Sequence, residues 1–306
     1  MDSRNIVQRL WATLFLMPNY ALIPGVKIVF DGVEHVPTLA NGERVILAMN
    51  HTDRYNYWPL MYKLWRVGRK QDPIPFVATW VKGKYFRHPV IAKFLTLNQG
   101  IVIPSLMYLI EEFYKQGHGR YPKREEYKEI RDVVEGERAV DDPGLSPEAH
   151  ETVTGKLVVP EEGPVPYPEA IRKLFIATMA RAVRYTREAS EKCGFNLLIF
   201  PEGTRSVRIG AGRTGLMEYA LAVGQRVVPI GSSNCDRIYP GNSPWGKRGT
   251  VTYRFGEPYD PRALLHPDEH PGPYTPFTDE ARPYRAIFER LTEDLMRRIN
   301  ALVDER

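Results

Sequence analysis

Two periodicities divide this chain. Short runs rich in Val, Ile, Leu and Phe, several of them bounded by turn residues, predict strands at 44–49, 74–79, 100–103, 196–200, 226–230 and 250–255. Between them, apolar residues recur at helical spacing. The clearest case is 168–192, where Ile171, Leu174, Phe175, Met179, Ala182, Tyr185 and Ala189 form one stripe, joined by Thr178 and Thr186. Pro168 suits a first helical turn and Gly194 a stop. Further helices are expected at 215–223, ending at Gly224, and at 282–303, with Ile287, Leu291, Leu295, Ile299 and Leu302 in line. Strands alternating with helices predict an α/β fold, a mixed but mostly parallel sheet flanked by helices. No linker separates two complete apolar cores, so residues 31–306 read as one domain.

Two stretches depart from that pattern. Residues 108–167 carry the almost wholly polar run 121–129, then Asp141-Asp-Pro-Gly and Pro160-Glu-Glu-Gly-Pro. They read as a polar insertion with one helix and a Pro-rich return, either a lid or a solvated excursion. At the other extreme, 10–17 is the longest apolar run, and Pro18-Asn19 interrupts it. It is too short to span a bilayer, which takes about 20 residues, and it lacks a signal-peptide cleavage site. Ile6, Leu10, Leu14 and Met17 share helical spacing, with Trp11 and Phe15 beside them and Arg4 and Arg9 flanking. Residues 1–30 therefore read as an amphipathic segment that either lies on a membrane surface or packs on its own domain.

Composition changes this picture little. A chain of 306 residues with 43% hydrophobic and 26% charged residues is ordinary for a globular protein. Cys193 and Cys235 have no CxxC partner, which argues against a zinc site or a disulfide framework and fits a reducing compartment. The formal charge of +5 is compatible with an anionic lipid or a phosphorylated substrate. No nucleic-acid-binding module is visible. Gly210-Ala-Gly212-Arg-Thr-Gly215 satisfies a dinucleotide pattern but follows no buried strand, so it reads as the turn before the helix at 215. Lys63-Leu-Trp65-Arg66-Val-Gly-Arg69-Lys70 and 80–87 mix basic and aromatic residues, as an amphipathic surface or a headgroup contact does.

The candidate chemistry lies where two predicted strands run into loops. One is Asn50-His51-Thr52-Asp53-Arg54-Tyr55-Asn56; the other is Phe200-Pro201-Glu202-Gly203-Thr204-Arg205-Ser206. Carboxyl ends of strands in open α/β sheets are where ligands bind. A histidine there takes a proton near neutral pH. An arginine beside a glycine and a threonine offers a guanidinium fork, a backbone N–H and a hydroxyl to a phosphate. Together they suit activation of a hydroxyl on a phosphorylated alcohol.

With these two segments in this order, the chain resembles the glycerol-phosphate and lysophosphatidic acid acyltransferases, the PlsC-like group, whose hallmark is Asn-His-x4-Asp followed downstream by Phe-Pro-Glu-Gly-Thr-Arg-Ser. Asn50-His51 matches the first element, and 200–206 matches the second at every position. The strand Gly100-Ile-Val-Ile, Val227-Val-Pro229-Ile230, and Tyr253-Arg-Phe-Gly256-Glu-Pro258 fit weaker family blocks, so the likeness covers about 40–105 and 170–260. It implies a glycerolipid acyltransferase-like fold in which His51 is the general base for a glycerol hydroxyl. That hydroxyl attacks the thioester of acyl-CoA or acyl carrier protein, a co-substrate, in one step without a cofactor or metal. No Gly-x-Ser-x-Gly elbow is present for an acyl-enzyme. Glu202, Gly203, Thr204, Arg205 and Ser206 would bind the acceptor, a lysophospholipid or glycerol phosphate and foremost 1-acylglycerol-3-phosphate, in phospholipid synthesis. The expected location is peripheral, on the cytoplasmic face of a membrane.

Two positions depart from the family. Its aspartate, five residues after the histidine, is Asn56 here, which accepts the imidazole N–H but supplies no charge. The same exchange in a serine-protease triad costs about 10⁴ in rate. Asp53 is a possible substitute carboxylate, or else a capping residue. Leu106 stands where the family has an arginine after its middle strand, leaving Arg208 and Arg213 as replacement phosphate contacts. An alternative is a lipid-binding relative with weakened catalysis, or an acyltransferase for another lipid acceptor.

Overall fold

The computed structural model describes residues 6–22, 25–67 and 74–304; Arg4, Arg69 and Lys70 lie outside them. The chain opens with α1 (Ile6–Trp11), continued by wider turns at Ala12–Leu16 and Pro18–Leu22, then β1 (Val26–Asp31), β2 (Ile46–Met49) and α2 (Tyr57–Val67). Next come β3 (Val77–Lys82), α3 (Pro89–Leu97), β4 (Gly100–Ile103), α4 (Leu106–His118), α5 (Arg124–Glu135) and α6 (Pro147–Thr154). A hairpin of β5 (Lys156–Val159) and β6 (Gly163–Pro166) feeds α7 (Tyr167–Arg187). The last stretch holds β7 (Asn196–Ile199), α8 (Gly215–Val223), β8 (Val227–Ser233), the one-turn α9 (Cys235–Ile238), β9 (Gly249–Phe255) and α10 (Arg285–Ala301).

The fold is α/β, with a seven-stranded sheet in the order β1-β9-β8-β2-β7-β3-β4. The pairs β1·β9, β8·β2, β2·β7 and β7·β3 are parallel, whereas β8·β9 is antiparallel, so the sheet is mixed and mostly parallel as the alternation predicts. Every residue of β2, β7 and β8 is buried. Central strands covered on both faces must be apolar throughout, and that is why these segments read as continuous runs rather than alternating ones. β1 belongs to this sheet, paired from Val26 to Asp31, which corrects the reading of 1–30 as a single membrane-associating segment. Its side chains are only half-buried and include exposed Lys27, so no uninterrupted apolar run marked it.

Contacts divide the chain into two compact units where one domain was expected: residues 1–80, 93–101 and 183–306, and residues 81–92 and 102–182. In the first unit, Leu47, Met49, Leu60, Leu198, Val228, Ile230, Val251 and Tyr253 form the heart of the core. The N-terminal helix packs on this unit by one face. Gln8 is buried and its Nε2 donates to the carbonyls of Val77 and Asn98, both at 2.9 Å. Trp11 stacks on Phe15, and both meet Trp58 edge-on. The opposite face exposes Ile6, Leu10 and Leu14, each more than half accessible. No helix among the described residues is long and apolar enough to cross a membrane.

The second unit corrects the expected polar insertion of one helix at 108–167. That stretch holds most of α4, all of α5 and α6, and the β5–β6 hairpin, around a core of Ile110, Tyr114, Ile130, Val133, Val134, Ala149, Val153 and Ile171. Glu126 is buried on the inner face of α5. Arg120 grips it with two bonds of 2.8 Å, Tyr114 donates its hydroxyl at 3.0 Å and the Lys123 N–H donates at 2.7 Å. These bonds, led by those from Arg120, hold its carboxyl down near about 2. A charged residue thus occupies a core position, which is what made the run look wholly polar.

Candidate active site

β2 delivers its last residue, Met49, into a loop anchored at both ends. At the entry, Asn50 is buried, with Nδ2 donating to the Ser232 carbonyl at 3.1 Å and Oδ1 accepting from the Ser232 N–H at 2.7 Å. At the exit, Asn56 is fully buried and its Nδ2 donates to the Asn50 carbonyl at 2.9 Å. That carbonyl only accepts, so the amide NH₂ must face it and Oδ1 must face the other way, toward His51 Nδ1 at 3.1 Å. The network therefore assigns the proton to Nδ1 and the lone pair to Nε2. The imidazole lies against the ring of Phe200, centroids 4.2 Å apart and planes 26° from parallel.

Asp53 sits inside the same turn. Its Oδ2 accepts from the Thr52 hydroxyl and its Oδ1 from the Tyr55 N–H, both at 2.8 Å. Burial raises its carboxyl from 3.8 to about 6, with Asp236 adding to the rise and the bonds from Tyr55, Thr52 and the Asn56 N–H opposing it. The structure places Asp53 as a brace of the turn and Asn56 at the imidazole.

The second loop leaves the adjacent strand β7. Glu202 is buried, and both of its oxygens receive main-chain donors: Oε2 from the His51 N–H at 2.7 Å and Oε1 from the Gly210 N–H at 2.9 Å. Burial raises its carboxyl while those two N–H groups pull it down. Gly203 turns the chain with φ +63°, a left-handed conformation that favours glycine. Ser206 donates its N–H to the His51 carbonyl at 2.8 Å. Both main-chain polar groups of His51 are therefore held by the second loop, one by Glu202 and one by Ser206.

Thr204 and Arg205 stand exposed between those two attachments. Arg213 donates its N–H to the Pro201 carbonyl at 2.7 Å, and its Cγ lies 3.5 Å from where a Cβ on Gly203 would fall. Of the two replacement cations, Arg213 thus borders the loop, while Arg208 is exposed on the segment that follows it. Leu106 opens α4 and packs against the core of the second unit. Electrostatically, the first loop presents a neutral His–Asn pair and the second a cation beside a main-chain turn. That combination suits proton removal from an alcohol carried by an anion.

Sequence reasoning found His51, Asn56 and the 200–206 segment but missed Ser232 and Gly210. Neither carries a local motif, because each acts through main-chain groups.

No protein-family model matches the sequence, and no curated protein sequence matches it. Among solved structures, the chain is similar to the crystal structure of the 1-acyl-sn-glycerophosphate (LPA) acyltransferase, PlsC, from Thermotoga maritima, with a TM-score of 0.42 and 14% identity. The match covers 94% of this chain and 78% of that one. A likeness at that score and identity assigns neither a family nor an activity to this chain.

Proposed function

We propose that this protein is an acyltransferase moving a fatty acyl group from acyl-CoA or acyl carrier protein to a hydroxyl of a lysophospholipid, foremost 1-acylglycerol-3-phosphate. The observation that carries this reading is the double attachment of His51: its N–H to Glu202 and its carbonyl to the Ser206 N–H. It ties a histidine loop to a Phe-Pro-Glu-Gly-Thr-Arg loop some 150 residues away, as the |i−j| of 151 between His51 and Glu202 records. The base and the cation-bearing turn belong to one built site.

In this mechanism the Nε2 lone pair of His51 takes the proton from the acceptor hydroxyl as the oxygen attacks the thioester carbonyl. The thiolate leaves and recovers a proton from the imidazolium. Asn56 orients the ring and keeps the Nδ1 proton in place. Thr204, Arg205 and Ser206, with the Gly203 turn, bind the acceptor's phosphate and glycerol. Glu202 contributes by holding the two loops, since both its oxygens are already engaged by main-chain donors.

Peripheral attachment to the cytoplasmic face of a membrane follows from the same reading. Its support is the exposed stripe of Ile6, Leu10 and Leu14 on a helix whose other face is packed. The experiment is direct. Purified protein is offered acyl-CoA or acyl carrier protein and a panel of lyso-acceptors; His51-dependent product supports the proposal, and its absence with every donor and acceptor removes it. Asn56 favours one second reading, a lipid-binding relative with weakened catalysis, which predicts no turnover even after Asn56→Asp.

A further inference from the structure

The residues that anchor the His51 loop come from one register of the sheet. Ser232 on β8 and Tyr253 on β9 are direct partners across the antiparallel pair. Ser232 bonds Asn50, at the loop's entry, through two main-chain bonds. Tyr253 is fully buried and its hydroxyl donates to the main-chain carbonyl of Asn56, at the exit. Entry and exit are thus stitched to two facing residues, and the amide that orients the imidazole lies at the second stitch.

The donor directions around Tyr253 follow from counting protons. A phenol has one, and the Asn56 carbonyl only accepts, so that proton goes to Asn56. Cys235 Sγ lies 3.3 Å from the same hydroxyl oxygen. With the phenol proton already committed, the thiol must be the donor. The order runs Cys235 S–H to Tyr253 O–H to Asn56 C=O, and from the Asn56 side chain to His51 Nδ1. Burial pushes both the Cys235 thiol and the Tyr253 phenol well above their ordinary range, so both stay protonated and the order is kept.

We propose that Tyr253 is a positioning residue for His51: its hydroxyl fixes the Asn56 main chain, and through it the side-chain amide that selects the Nδ1-protonated imidazole. The inference rests on the acyl-transfer reading for its kinetic consequence but not for its structural one. An aspartate at position 56 would hold the Nδ1 proton by charge. An asparagine holds it by geometry alone, and so depends more heavily on what holds the asparagine.

The test uses the full-length protein. Tyr253→Phe keeps the buried ring and deletes the donor. The expected result is a fall in kcat of about 3- to 10-fold, the range for one lost hydrogen bond, with the acceptor KM essentially unchanged. In nitrogen-15 spectra, assigned by comparison with His51→Ala, the separated Nδ1 and Nε2 shifts of His51 should move toward a tautomer average. Cys235→Ala, which leaves the phenol in place, should give a smaller change of the same sign, and it carries the test should Tyr253→Phe not fold. Unmoved His51 shifts in whichever variant folds overturn the proposal. If the wild type transfers no acyl group while its His51 shifts respond to Tyr253→Phe, the acyl-transfer reading fails and the positioning role stands. If transfer is His51-dependent but indifferent to Tyr253→Phe, the reverse holds.

Discussion

The loop that leaves β2 closes on itself, while the loop that leaves the neighbouring strand β7 opens outward. In the first, Asn50, Thr52, Asp53 and Asn56 are all buried, and their side chains bond to β8, to one another or to the loop's own main chain. In the second, the buried part ends at Glu202, and Thr204, Arg205, Val207 and Arg208 are exposed. The difference matches the two tasks. A general base gains from a fixed ring and a chosen tautomer, whereas a group that receives an anion from solution must reach water before it reaches the ligand. The closed loop carries the orientation and the open one the encounter.

That contrast is sharpest at His51. His51→Ala should lower the rate of acyl transfer by about 10²- to 10⁴-fold, the usual range for a positioned base, with product formation by mass spectrometry as the readout. Asn56→Asp should act in the opposite direction. A carboxylate at this site stabilises the imidazolium that forms during transfer, and the gain should be about tenfold or more, bounded by the roughly 10⁴ seen for the reverse exchange in a protease triad. A silent Asn56→Asp would mean that geometry alone suffices in the closed loop. On the open side, Arg205→Ala should reduce kcat/KM by about 10- to 100-fold, corresponding to one lost charge-assisted contact. The loss should shrink for an acceptor without phosphate. Equal losses for phosphorylated and neutral acceptors would break the assignment of the open loop to the anion.

The smallest effect is on stability and belongs to Asp53. Its carboxyl titrates near about 6 in the folded chain rather than at 3.8, so the folded state holds that proton more tightly than the unfolded one. The resulting stabilisation is complete below 3.8 and disappears as pH rises through 6. A shift of this size corresponds to about 3 kcal/mol at most. Denaturant melts at pH 4 and pH 7 should show the wild type losing more stability than Asp53→Asn over that interval. Parallel behaviour of the two proteins would remove Asp53 as a titrating group in the closed loop.

Much of this was legible in the sequence, and the reasons are physical. Central strands buried on both faces announce themselves, as β2, β7 and β8 did. The start of α10 was placed three residues early, at 282 rather than Arg285, because a short 3-10 turn at Asp279–Tyr284 precedes it. The loop residues His51 and 200–206 were visible as a motif. Their mutual attachment was not, because it runs through main-chain N–H and C=O groups that every residue possesses. Tyr253 was visible only as part of a strand, since nothing local distinguishes a packed tyrosine from one whose hydroxyl holds a distant loop. The second unit was hidden for a different reason. α5 buries an ion-paired glutamate among Ile130, Val133 and Val134, and a charge in a core position blurs the apolar period.

The seams between the two units lie inside elements, not in the loops that join them. They fall within β3 between residues 80 and 81, within α3 between 92 and 93, within β4 between 101 and 102, and within α7 between 182 and 183. A scissor cut at any of them leaves a broken ladder or a severed helical turn with orphaned carbonyls and N–H groups. Neither unit is thus a cassette to be lifted out and expressed alone, and shortened versions of the protein should keep all four shared elements whole.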